Sequence, residues 1–161
     1  MKCISISTNL IFILALTGLI TTPDVSYAGA SSKAKVLEIK GEASYMKAGA
    51  ATTWEKLDPS VILEEKDSIK TGPNSEVKLE LMGAAKTAEL VVGKDTTFKF
   101  DTFQHEDTDK LENTLLNVEV GKVLVKAEKL VGNSKFEVKT PTSIVGIRGT
   151  VFEVDVLKSQ Q

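Results

Sequence analysis

The sequence has few of the residues from which reactive centres are built. Its 161 residues include one cysteine, Cys3, one histidine, His105, and one tryptophan, Trp54. Cys3 precedes an apolar N-terminal run and leaves with it on cleavage, so no thiol remains to act as a nucleophile, form a disulfide or hold a metal. A lone imidazole gives no second ligand for a metal site, and no GxSxG elbow aims a serine. Gly146, Ile147, Arg148, Gly149 and Thr150 lack the lysine and spacing of a phosphate loop, and no dinucleotide fingerprint is present. The 20 basic and 22 acidic residues leave a net charge of −2, with no basic excess to suggest nucleic acid. No apolar run reaches the ~20 residues that cross a bilayer.

What is present begins with a leader. Lys2 supplies positive charge, LIFILALTGLI (10–20) supplies the apolar core, and Ser26 and Ala28 stand three and one places before a cut at Gly29. Residues 1–28 therefore read as a signal peptide, with a second permitted cut before Ser31 and an uncleaved anchor as the alternative. The mature chain is then not membrane-spanning, and it resides in the periplasm, at the cell surface or in the medium.

From Lys35 onward the pattern is strand after strand. In KVLEIKGEASYM (35–46) the residues Leu37, Ile39, Ala43 and Tyr45 alternate with polar ones, and Gly41 marks a bulge or crowded point. In EVKLEL (76–81) Val77, Leu79 and Leu81 share one face. Further strands are expected over 87–92, 96–103, 115–120, 122–127, 135–139 and 151–156, with glycine-containing turns between them. Helical spacing is scarcely visible. The fold class is all-β: one domain over 35–157, of about eight to ten short strands, arranged as a β-sandwich or β-roll.

Two connections are longer. Residues 47–59 hold Trp54, and QHEDTDKLE (104–112) reads as an exposed charged loop carrying His105. Glu106, Asp107 and Asp109 suit a hard cation by spacing but lack the mid-loop glycine and distal glutamate of a calcium loop, which favours a solvated face. Trp54 is either a platform for a sugar ring or a packing residue at the core or sheet edge.

Three stretches together resemble the ferric-citrate regulator (FecR) domain family. They are TTWEKLDPSVILEEKDSIKTGPNSEVKLEL (52–81), VEVGKVLVKA (118–127) and FEVKTPTSIVGIRGTVFEVDV (136–156). The last is the most specific, with Thr140 and Pro141 after a strand, then Gly146, Arg148, Gly149 and Thr150 before another. Asp67, Thr71 and Gly72 carry the central part of the resemblance, although Lys66 stands where the family usually has glycine. The sequence shows neither the cytoplasmic anti-sigma segment nor the membrane helix of the best-known regulators. The resemblance thus implies the extracytoplasmic β domain alone.

Elementary chemistry gives TPTSIVGIRGT (140–150) its own reading. Pro141 fixes φ and pushes Thr140 to an extended conformation, ending a strand. Gly146 and Gly149 are expected to supply positive φ or close approach, and Thr150 to begin a new strand. Arg148 either presents five fixed donors to a carboxylate of a ligand or partner, or turns inward to pair an acidic side chain such as Asp67. The structural role is the expectation for the whole motif. Together these features point to a non-enzymatic exported module that needs no cofactor or metal and binds an envelope protein, with carbohydrate or polymer binding as the alternative.

Overall fold

A computed structural model describes residues 30–50, 52–83, 86–106, 111–130 and 132–158, and every regular element among them is a β-strand. In chain order these are β1 (Ala30–Ser31), β2 (Lys33–Lys40), β3 (Ala43–Met46), β4 (Glu55–Lys56), β5 (Ile62–Leu63), β6 (Ser68–Thr71) and β7 (Glu76–Met82). There follow β8 (Lys86–Val92), β9 (Thr97–Glu106), β10 (Leu111–Ala127), β11 (Lys135–Lys139), β12 (Ile144–Ile147) and β13 (Val151–Val156). The described strands exceed the expected eight to ten because β1, β4 and β5 are two-residue ladder fragments. The leader and residues 107–110 lie outside the described residues.

The architecture rests on one long ribbon. β8 and β9 run antiparallel along one edge of β10, β8 against 123–127 and β9 against 111–120. The ribbon bends between them, so its two ends enter two layers. One layer continues from β9 through β6 and β3 to β4, and the other from β8 through β7 and β2 to β5. On the opposite edge of β10, β11 pairs parallel with 113–117 and carries β12, while β13 pairs antiparallel with 121–126. A single buried cluster draws on both layers, with Phe98, Phe100 and Phe103 in edge and stacked contact at its centre.

The bend explains a departure from the sequence pattern. Gly121 reads as a turn between two strands, yet β10 continues through it for 17 residues. Its φ of +97° suits glycine, and an added Cβ would lie 2.5 Å from Thr96 Cα. Thr96 Oγ1 takes up that space and accepts the Lys122 N–H at 3.0 Å. A glycine in the middle of a strand here makes a corner, not an end.

β2 shows a second departure. Ala34 and Val36 are buried, Leu37 is 44% exposed, and the register against β7 slips between Val36 and Glu38. This bulge reverses the face on which residues up to Leu37 lie, so the inward stripe of β2 is Ala34 and Val36 with Ile39 partly buried. The strand ends before Gly41, which is the crowded point expected there: its φ is +78° and an added Cβ would lie 3.0 Å from Ser75 Cα, while the bulge itself falls earlier, between Val36 and Glu38. In β7 the pattern holds: Val77, Leu79 and Leu81 are fully buried. The expected charged loop is also shorter, because Gln104, His105 and Glu106 belong to β9 and Leu111 and Glu112 to β10. His105 is half-buried, with Nδ1 3.3 Å from Ser32 Oγ.

Candidate interaction surface

The residues singled out in the central motif form structural clasps. Asp67 is 1% exposed, and its Oδ2 accepts from Lys47 Nζ at 2.8 Å and from Glu64 N at 2.9 Å, while Oδ1 accepts from Ala48 N at 2.9 Å. The carboxylate therefore joins the end of β3 to the 64–67 turn. Lys66 holds φ +70° in that turn, so the backbone keeps a glycine-favouring conformation without glycine. Burial works against the Lys47 charge, but the hydrogen bond to Asp67 and the charges of Asp67 and Glu64 outweigh it and raise its pKa above the ordinary lysine value. Thr71 Oγ1 donates to Gly93 O at 2.6 Å and accepts from Thr96 N at 3.0 Å. Gly72 N–H donates to Glu42 O at 2.9 Å, and its carbonyl accepts from Asp95 N at 3.1 Å, which ties two turns together.

The expected pairing of Arg148 with Asp67 is not present. Lys47 occupies that role because β3 and β6 are adjacent strands, whereas Arg148 lies beyond β12. Arg148 is exposed and makes no ion pair or side-chain hydrogen bond among the described residues. The rest of 140–150 divides cleanly. Thr140 is buried, its Oγ1 accepts from Ser143 N at 3.0 Å, and its N–H donates to Ser143 O at 2.8 Å, closing the hairpin between β11 and β12 around Pro141. Gly149 has φ +71° and sits where a Cβ would be 2.9 Å from Lys129 Cα. Gly146 needs neither freedom: it is an ordinary β12 residue, and a Cβ there would meet nothing within 4 Å. Thr150 precedes β13, and its carbonyl accepts from Ala127 N at 3.2 Å. Trp54 is 39% exposed, just before β4 and outside the buried cluster.

The same motif builds a concavity. β11 leaves β10 at Asn117 and β13 joins it at Gly121, so 118–120 have no strand on that edge. A groove of about 1120 Å³ opens at this fork. Its walls are the 140–143 turn and Val145 on one side and 153–158 on the other, with Glu119 and Val120 between. Beside it Lys122 Nζ pairs with Glu153 at 3.0 Å and Asp155 at 3.5 Å; the hydrogen bond to Glu153, then both carboxylate charges, raise its pKa. Glu119 is exposed and makes no ion pair among the described residues. Local sequence carries no signal for this groove, because residues 119–120 meet 140–158 only once β11 and β13 have paired with β10.

β12 and β13 are the outer strands of their layers, and Ile144 is 62%, Val151 65% and Leu157 84% exposed. Two face-to-face layers sharing one strand, with clasped turns and, among the described residues, unpaired outer edges at β12 and β13, define an all-β module built around the motif of 136–156. The chain belongs to the FecR family: the family model described as FecR protein matches residues 67–161, more than half of the chain. The match begins at Asp67, so β1 to β5 lie outside it although β2 and β3 pair with β7 and β6 inside it. No curated protein and no solved structure matches.

Proposed function

We propose that this protein is a non-enzymatic, exported FecR-family module that engages a protein partner in the bacterial envelope. The observation that carries this reading is that the motif most specific to the family ends in two open-edged strands and a groove. Unpaired N–H and C=O groups on such edges are ready to bond another chain. The clasps at Asp67, Thr71 and Thr140 hold the scaffold; the exposed residues that remain, among them Arg148, are free to meet a partner. Cross-linking in living cells followed by purification of the protein tests the reading. A specific envelope protein recovered with it supports the proposal, and recovery of the protein alone, at all cross-linker lengths, overturns it.

A second reading is favoured by Trp54, whose partly exposed ring offers an apolar face to a sugar or polymer. It predicts that cell-wall polysaccharide fragments quench or shift the emission of this single tryptophan. No change at saturating polymer rejects it.

A further inference from the structure

Within the reading of a protein-binding module, the free edge of β13 defines what kind of segment it accepts. The Ala127 N–H to Thr150 C=O bond fixes the phase of the β10–β13 ladder. In an antiparallel pair the bonded residues alternate, so Phe152, Val154 and Val156 direct their backbone groups at β10. Val151, Glu153 and Asp155 therefore direct theirs outward. The side chains alternate as well: Phe152, Val154 and Val156 pack towards the core, and Val151, Glu153 and Asp155 face solvent.

A second copy of this chain is a poor occupant of this edge. Antiparallel self-pairing centred on Glu153 sets that carboxylate opposite itself, and a shift by one pair sets Glu153 against Asp155. Directly opposed like charges destabilise a sheet. Lys122 neutralises part of this charge from the β10 side, but Glu119, which lines the groove, has no ion-pair partner among the described residues. The complementary strand is one that alternates basic and apolar residues. Its basic side chains lie on the Glu153 and Asp155 face, and its apolar side chains lie on the other face, against Val154, Val156 and Val145 in the groove.

We propose that β13 is extended by an extracellular or periplasmic partner segment in β conformation, with lysine or arginine at alternate positions and aliphatic residues between. The strand adds to the edge through the N–H and C=O groups of Val151, Glu153 and Asp155 and fills the groove beside Val120. Charge sets its register, and main-chain bonds supply its hold.

The test uses protein purified from the envelope of expressing cells and two synthetic peptides of equal length, one alternating Lys and Val, the other Glu and Val. Backbone amide exchange is followed by NMR. The Lys-Val peptide is expected to slow exchange at Val151, Glu153 and Asp155, leaving Phe152 and Val154 as they were, and the Glu-Val peptide to do nothing. Glu153→Lys with Asp155→Lys should weaken the Lys-Val peptide at least about tenfold and admit the Glu-Val peptide. Glu153→Pro, which removes an outward N–H without touching the ladder to β10, should abolish binding of the Lys-Val peptide. Protection of these three amides without peptide, in a concentration-dependent manner, would show a second copy as the occupant and overturn the proposal. Equal binding of both peptides, or binding that survives Glu153→Pro in a folded variant, would also overturn it. If a partner is captured in cells but its recovery is unchanged by Glu153→Pro, the β13 assignment fails while the interaction module stands.

Discussion

Asp67 and Lys47, 20 residues apart in the chain, meet in a 2.8 Å hydrogen bond that seals the end of β3 against the start of β6. The carboxylate also satisfies two backbone amides, those of Ala48 and Glu64. Removing it takes the charged acceptor from both part-buried bonds, at about 1–3 kcal/mol for each. Asp67→Ala should therefore lower stability by at least about 2 kcal/mol in urea melts. Lys47→Met should cost less, because the two amides remain bonded. Equal losses from the two variants would refute this division of labour.

The same contact has a pH signature. The Lys47 pKa is raised, so its contribution is fully present below the ordinary lysine value of 10.5 and is lost as pH rises through the folded value. Tyr45, whose hydroxyl donates to Glu55, is shifted upward as well and loses its contribution in the same direction. Thermal melts from about pH 9 to 12 should show the wild type and Lys47→Met converging as the pH rises. A stability difference that is constant over this range would rule out the linkage.

At the corner of the ribbon, Gly121→Ala places a methyl group against the Thr96 backbone and forces alanine to φ +97°. The expected cost is about 2–4 kcal/mol, from left-handed strain and overpacking together. Gly146→Ala, in open space with ordinary β geometry, should be nearly silent in the same thermal melts. Comparable losses at the two glycines would contradict the distinction.

Arg148 separates a scaffold role from a recognition role. Exposed and without an acidic partner among the described residues, it should tolerate Arg148→Ala with a change in stability within about 0.5 kcal/mol. Urea denaturation at unchanged slope measures this directly. A midpoint drop equivalent to several times that value would restore an internal role.

Trp54 offers a spectroscopic check on the edge near β4. At 39% exposure, its emission should lie well to the red of a buried indole and be quenched by acrylamide. Blue emission resistant to quencher would place the ring in a packed environment and remove the polymer-binding reading.

Much of the fold is legible in the sequence because the alternation of Val77, Leu79 and Leu81 needs only one face to be buried, and turn residues punctuate the rest. Leu37 is not legible, since the bulge that turns it outward depends on the register against β7. Gly121 is ambiguous for the same reason: whether a glycine ends or bends a strand is decided by the neighbours, here Thr96 and Lys122. Asp67 stands out by its resemblance, but its partner does not. Lys47 is selected by the adjacency of β3 and β6, which local sequence cannot express, and the groove of Glu119, Val145 and Val154 arises only when strands from across the chain share β10.

The passage of β10 through both layers also governs how quickly the chain can assemble. β10 is bordered by β8 and β9, made earlier, and by β11 and β13, made later. Its ladders close loops that are costly in chain entropy before they return any contact energy. Folds dominated by such distant pairings reach the native state in milliseconds to seconds, at the slow end for small domains. The layer of β8, β7 and β2 cannot be finished before β13 is made, so its edge on β10 waits for residues far along the chain. Such a chain has to be guarded from premature association at that edge until β13 is in place.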